Sequence, residues 1–238
     1  MDVLSPPPPR RNWALFLDLD GTLIDIAERP DAVEVPPGLI AALTAVEAWL
    51  GGALAIVSGR PMADLDRLLA PLSVARAAEH GAVLRYGGQT MVTARKLPPD
   101  WIVRIRQEMQ AWPGVLLEEK SCSVAVHYRQ CPEYAGAVEQ LLRKLVQRDL
   151  GFEVLSARMA FEIRDSSVHK GRAVAEFMKL LPFSDRLPVF VGDDVTDEDG
   201  FREARAQGGM GLHVKTTFGN SPAHVRAWLN EFSDAPFA

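Results

Sequence analysis

Asp18 and Asp20 close a run of apolar residues, Trp13-Ala14-Leu15-Phe16-Leu17, and are followed at once by Gly21 and Thr22. Such a run reads as a buried strand, and a buried strand that stops on two carboxylates needs positive charge opposite them. The same design recurs near the other end of the chain, where Val189-Phe190-Val191-Gly192 leads into Asp193, Asp194 and Asp197. Between the two strings, Ser58 ends the apolar segment Ala53–Val57, and Lys170 stands beside Gly171 at an expected helix start. Suppose four of these carboxylates met without a cation. Each like-charge pair would cost up to ~4 kcal/mol at close range, and the sum would exceed the ~5–15 kcal/mol stability of a typical domain. A divalent cation resolves the conflict, and an all-oxygen donor set points to Mg²⁺ over zinc. Mg²⁺ held by few carboxylates leaves positions for a phosphate, whose other oxygens Lys170 and the Ser58 hydroxyl could take, helped by backbone amides entering the helix at Pro61. Asp18 as nucleophile, Asp20 as acid and base, a metal and an anion clamp together permit in-line phosphoryl transfer through an aspartyl-phosphate.

These residues need a scaffold that brings them to one edge. Gly38 to Leu50 reads as a helix, Ala53 to Val57 as a strand, and the segment after Pro61 as a helix with Leu65, Leu68, Leu69 and Leu72 at helical spacing. After about Lys96 the pattern changes: a helix over 98–112, strands at 115–117 and 121–128, a helix over 133–149, then strands at 152–155 and 159–163. From His169 the alternation of helix and strand returns through to Phe232. The expected fold class is therefore α/β, a Rossmann-like parallel sheet over residues 1–95 and 168–238, with a smaller α+β module over 96–167 inserted between its halves. Open parallel sheets bind ligands outside the carboxyl ends of their strands, where Asp18, Asp20, Ser58, Asp193 and Asp194 would converge.

Composition narrows the function. A net charge of −5 argues against a general nucleic-acid binder. Cys122, expected in a strand, and Cys131, in a turn, form neither a disulfide framework nor a metal spacing, which fits a reducing compartment. No apolar stretch approaches the ~20 residues needed to span a bilayer. Met1 to Arg11 carries Pro6-Pro7-Pro8-Pro9 in place of a signal peptide's apolar core and reads as a disordered lead-in. The expectation is a cytoplasmic monomer acting on a small anionic molecule.

Taken in order, Asp18-Leu19-Asp20-Gly21-Thr22, Ser58, Lys170 and Gly192-Asp193-Asp194 with Asp197 resemble the haloacid dehalogenase (HAD) superfamily of phosphatases over almost the whole chain. The resemblance implies Mg²⁺ held by the Asp18 carboxylate, the Asp20 main-chain carbonyl and Asp193, with Asp194 and Asp197 as outer support. Ser58-Gly59-Arg60-Pro61, Glu79-His80-Gly81-Ala82, Glu118-Glu119-Lys120, Ser123 to Arg129, Glu162-Ile163-Arg164 and Gly192 to Glu198 resemble most closely the trehalose-6-phosphate phosphatases of that superfamily. By that resemblance the inserted module is an α/β cap, Glu118, Lys120 and Glu162 contact glucose hydroxyls of the substrate, trehalose 6-phosphate, His80 and Gly81 line its sugar side, and Thr22 counts among its contacts. Arg60 and Arg129 are read as substrate contacts that steer the anion, with surface salt bridges as the alternative. Two positions depart from the family pattern: Asp165 stands where proline is usual and His169 where aspartate is usual.

Blander readings stand beside these. Asp is common in turns, a serine between strand and helix is an ordinary N-cap, lysines are mostly solvated, and Glu118-Glu119-Lys120 is a charge run. Other functions also remain open: a phosphatase of sucrose, mannosyl or hexose phosphates, a phosphomutase, or a sugar-phosphate sensor without turnover.

Overall fold

The computed structural model describes residues 5–27, 33–157 and 159–234; Met1 to Leu4 of the lead-in and part of the loop before Pro36 lie outside them. The chain divides into two compact units, Met1–Val92 with His169–Ala238, and Thr93–Val168.

The first unit is built on a sheet of β1 (Trp13–Leu17), β2 (Leu54–Val57), β3 (Ala75–Ala78), β4 (Val83–Tyr86), β5 (Gln89–Val92), β10 (Leu187–Gly192) and β11 (Met210–His213), in the order β11-β10-β1-β2-β3-β4-β5. The first five of that order are parallel. β1 is buried at every position because both faces of the sheet are covered. Trp13 packs on Trp228 and Phe232 of the last helix, Pro222–Asp234, while Phe16, of opposite parity, packs on Phe177 of the helix Lys170–Phe177. The helices Leu39–Trp49, Met62–Leu69 and Glu198–Ala206 complete the layers.

Two features of this sheet do not follow from the sequence patterns. β3 reads Ala-Arg-Ala-Ala, with no β-branched residue, and forms because it is buried and paired on both sides; Arg76 within it places its guanidinium on Asp66 and on the Leu72 carbonyl. The hairpin β4–β5 turns antiparallel on Gly87 and Gly88, whose φ of 58° and 78° suit the tight turn. The expected disordered lead-in is also corrected: Trp228 Nε1 donates to the Pro7 carbonyl at 2.9 Å, so the proline run is docked on the last helix.

The second unit is a four-stranded antiparallel sheet, β6 (Leu116–Glu119), β7 (Val124–His127), β9 (Ala160–Asp165) and β8 (Phe152–Ala157), with helices Pro99–Met109 and Ala135–Val146. Val124, Val126, Phe161 and Ile163 join Trp101, Ile105, Val138 and Leu142 in one apolar cluster, so one face of the sheet is covered by these helices. Cys122 precedes β7 instead of lying in it, and both cysteines are buried free thiols.

The two departures from the family pattern have local reasons. Buried Asp165 accepts from the Arg95 amide at 2.7 Å and from the Ser167 amide and hydroxyl at 2.9 and 2.8 Å, joining the segment that enters the second unit to the one that leaves it. These bonds outweigh burial and hold its carboxyl below the usual carboxylate range. His169 Nδ1 accepts from the Arg172 amide at 3.1 Å, the N-cap bond that an aspartate also makes.

Candidate active site

Adjacent strands β10, β1 and β2 end level with one another, Leu17 pairing with both Val191 and Ile56, so Asp193, Asp18 and Ser58 emerge side by side at one sheet edge. Carboxylate oxygens of Asp18, Asp193 and Asp197 lie within 4.8 Å of one another. Lys170 Nζ sits between two of them, 2.7 Å from Asp18 Oδ1 and 2.7 Å from Asp197 Oδ1. It reaches them because its helix begins there, and its side chain is 3 % exposed. The default solvated lysine does not apply.

Asp197 is fully buried and its two oxygens have distinct jobs. One takes Lys170; the other accepts from the backbone amides of Asp193 and Asp194 at 3.0 and 3.1 Å. Asp194 in turn accepts from the Thr196 amide at 2.7 Å, completing a reciprocal capping box that starts the next helix. Thr22, placed by resemblance among the substrate contacts, is fully buried and spends its hydroxyl on Asp18 Oδ2 at 3.1 Å, with Asp193 Oδ1 at 3.5 Å. Its position is that of a strut between carboxylates.

Electrostatics follow from this crowding. Burial, only partly offset by Lys170, pushes Asp18 up to about 8. Burial and the neighbouring Asp197 and Asp194 also raise Asp193, and burial raises Asp197. Burial works against the Lys170 ammonium, but Asp18 and Asp197 outweigh it and its proton is held more tightly than usual.

Gly21 is required twice over. Its φ is +77°, and a Cβ there would run into the Asp193 carboxylate. Gly21→Ala is expected to cost about 1–2 kcal/mol from backbone strain alone, read as a lower unfolding midpoint, and to lower activity by displacing Asp193.

The rest of the edge is held by loops after β2 and β3. Ser58 is buried, and its Oγ accepts from the Arg60 amide at 3.1 Å, which leaves the hydroxyl hydrogen to donate. The turn at Glu79 and His80 has φ of 49° and 59°, left-handed values that non-glycine residues seldom adopt. The His80 amide bonds the Ser58 carbonyl at 2.9 Å, and the His80 ring fills the space a side chain on Gly59 would need. Gly81 is buried against the start of the Lys170 helix. Arg60 does not reach outward: it grips Asp20, its Nε and Nη2 each 2.6 Å from a carboxylate oxygen.

In the second unit, Glu118, Ala125 and Glu162 form one row across β6, β7 and β9 on the face opposite the apolar cluster. Lys120 Nζ lies 2.9 Å from Glu162 Oε2, Ser123 donates to the other oxygen of Glu162, and His127 Nε2 lies 2.8 Å from Glu118 Oε2. Glu119, of opposite parity, pairs with Arg106 on the helix side. Arg129 is exposed in the turn after β7, outside this network. A concavity of about 740 Å³ between the two helices of this unit is lined by residues such as Arg104 and Lys144 that belong to neither cluster.

Ser123 and His127 were not assigned as contacts of these carboxylates from the sequence, although each lies two residues from Ala125, on its side of the row. Arg60 carried a signal too, a lone cation two residues after Ser58.

The trehalose-phosphatase family model matches residues 16–230. The chain belongs to the trehalose-phosphatase family. It is 41% identical over 208 residues to a probable trehalose-phosphate phosphatase of Sinorhizobium fredii (strain NBRC 101917 / NGR234), an alignment covering 85% of this chain and 78% of that one. It is 37% identical over 207 residues to trehalose-6-phosphate phosphatase of Escherichia coli (strain K12), covering 86% and 78%. The C-terminal domain of C. albicans trehalose-6-phosphate phosphatase shares the fold, with a TM-score of 0.69 at 20% identity over 95% of this chain and 93% of that one. Family membership makes the protein a phosphatase. Among the described residues, no helix is long and apolar enough to cross a membrane.

Proposed function

We propose that the protein hydrolyses trehalose 6-phosphate to trehalose and phosphate through an aspartyl-phosphate, with Mg²⁺ as cofactor. One observation carries the chemistry: a buried lysine bridging two carboxylates, with a third carboxylate within reach, at the carboxyl edge of a parallel sheet. A purely structural cluster has no use for so much uncompensated negative charge in one buried place.

Asp18 is the nucleophile; its carboxylate attacks phosphorus as the bond to the sugar oxygen breaks. Asp20 gives its proton to that departing oxygen, then takes one from the water that cleaves the acyl-phosphate. Lys170 and the Ser58 hydroxyl hold phosphoryl oxygens. The donor set of oxygens from Asp18, Asp193 and the Asp20 carbonyl fits Mg²⁺, which when bound would neutralise phosphoryl charge and favour the ionised form of Asp18. Asp197 and Asp194 support this arrangement by holding Lys170 and the loop after β10. Residues Thr93–Val168 would serve as the cap, with Glu118, Lys120 and Glu162 as contacts of glucose hydroxyls, and His80 would be a further sugar contact.

The test is phosphate release from trehalose 6-phosphate beside sucrose, mannosyl and hexose phosphates, with Mg²⁺ and with EDTA. The expected result is metal-dependent turnover with strong preference for trehalose 6-phosphate. Metal-dependent turnover of the other sugars instead would retain the core chemistry and remove the cap assignment. No release from any of them would point to a sensor.

A further inference from the structure

Nothing in the reaction as described so far calls for the lock between Arg60 and Asp20. Arg60 Nε donates to Asp20 Oδ2 and Nη2 to Oδ1, both at 2.6 Å. A two-bond fork of this kind fixes the plane of a carboxylate as well as its position. The arginine side chain is 10 % exposed and the aspartate 34 %, so the arginine belongs to the scaffold and the aspartate to the opening. The scaffold around Arg60 is itself tied down. Its amide donates to Ser58 Oγ at 3.1 Å, its carbonyl accepts from the Glu79 amide at 3.0 Å, and Asp64 lies 3.9 Å from Nη1. The loop after β2, the turn after β3 and the helix Met62–Leu69 therefore all bear on where this guanidinium points. With two of its faces already on Asp20 and Asp64, Arg60 is poorly placed to serve first as an anion contact.

The geometry points to Arg60 as the positioning residue for Asp20, aiming its carboxyl group at the sugar-side oxygen of the phosphoester. The inference rests on the reading of Asp20 as acid and base. In the step concerned, the bond between phosphorus and the sugar oxygen breaks as the bond from Asp18 to phosphorus forms, and the Asp20 proton passes to the sugar oxygen. A carboxyl group gripped on both oxygens cannot pass a proton until one grip opens. The paired state is thus the waiting arrangement, which sets the plane of the group beforehand, and the remaining bond keeps one of its oxygens anchored as the other turns to the sugar oxygen.

Leaving-group chemistry separates this role from the others. A sugar alkoxide must be protonated to depart, whereas p-nitrophenolate leaves without help. The quantity to measure is kcat/KM, which ends at departure of the leaving group and so excludes hydrolysis of the aspartyl-phosphate. Asp20→Asn is expected to lower kcat/KM for trehalose 6-phosphate by about 10²–10⁴-fold, and Arg60→Met by about 10–100-fold. Both should lower kcat/KM for p-nitrophenyl phosphate by a much smaller factor. The double variant should be no worse than Asp20→Asn alone, because a positioning residue has nothing left to position. Arg60→Lys keeps the charge without the fork and is expected to resemble Arg60→Met; it also carries the comparison if Arg60→Met fails to fold, as judged by thermal unfolding. Equal losses on both substrates, multiplied losses in the double variant, or parent-like Arg60→Lys would overturn the inference and leave an anion contact, a brace or a simple charge effect. If Asp20→Asn itself shows no leaving-group dependence, the acid reading of Asp20 fails first and takes this inference with it.

Discussion

Asp18→Asn is expected to abolish turnover while leaving the protein folded and, without metal, at least as stable as the parent. Phosphate monoesters hydrolyse so slowly unaided that enzymes accelerate them by up to ~10²¹-fold, so loss of the attacking oxygen cannot be made good by the rest of the site. Stability moves the other way. Asp18 is buried, and its pKa of about 8 in the fold lies above its ordinary 3.8. A group with a raised pKa holds its proton more tightly when folded, so its contribution is fully present below 3.8 and is lost as pH rises through about 8. Asparagine stays neutral throughout and still offers Lys170 an acceptor. The stability gained by the variant over the parent should therefore grow across that window and level off above it, in unfolding curves recorded with EDTA. Mg²⁺ favours the ionised parent and should narrow the gap. Measurable turnover by pure Asp18→Asn would sink the nucleophile assignment; a variant less stable than the parent at every pH would show that burial is not what burdens this carboxyl.

Lys170→Met should lose both activity and stability. The ammonium holds two carboxylates at 2.7 Å with 3 % of its side chain exposed. Taking one partner from a buried ion pair leaves an uncompensated charge and costs about 3–5 kcal/mol, equivalent to a fall in unfolding midpoint of roughly 10 °C for a chain of this size. Catalysis should fall by about 10²–10³-fold or more, the loss seen when one fixed donor to a developing oxyanion is removed. Added Mg²⁺ should restore part of the stability by supplying positive charge to the same carboxylates, but not the rate. A variant with parent-like melting would mean that the cluster does not depend on its lysine.

The cluster of charged residues at the sheet edge was more legible in the sequence than its support. Asp18, Asp193 and Lys170 announced themselves because acids at the ends of greasy strands are costly and because the alternation of helix and strand resumes with a helix at Lys170. The parity rule on β6 separated Glu118 and Lys120 from Glu119, which pairs with Arg106 on the other side. What escaped were contacts made by tertiary closure. β3 has no strand propensity to read, and its place between β2 and β4 decides it. Arg60 reads equally well as a substrate contact until the loop after β2 is seen to turn it onto Asp20. Thr22 lies next to the acids in sequence, but only burial shows that its hydroxyl is used up by Asp18. The proline run looked like an unattached tail because the donor to its Pro7 carbonyl, Trp228, is more than two hundred residues away.

Asp165 bonds Arg95 on the way into residues Thr93–Val168 and Ser167 on the way out, so both crossings of the chain are stapled from within that unit. A segment that carries its own closure is suited to transplantation. Grafted between the corresponding strand and helix of a relative, it would bring the clasp at its base with it, whereas a graft cut a few residues shorter at either side would leave one oxygen of buried Asp165 without its partner. Exchange of such modules would then spread whole segments of this length, and the boundary that matters would be set by one carboxylate more than by the helices and strands it gathers.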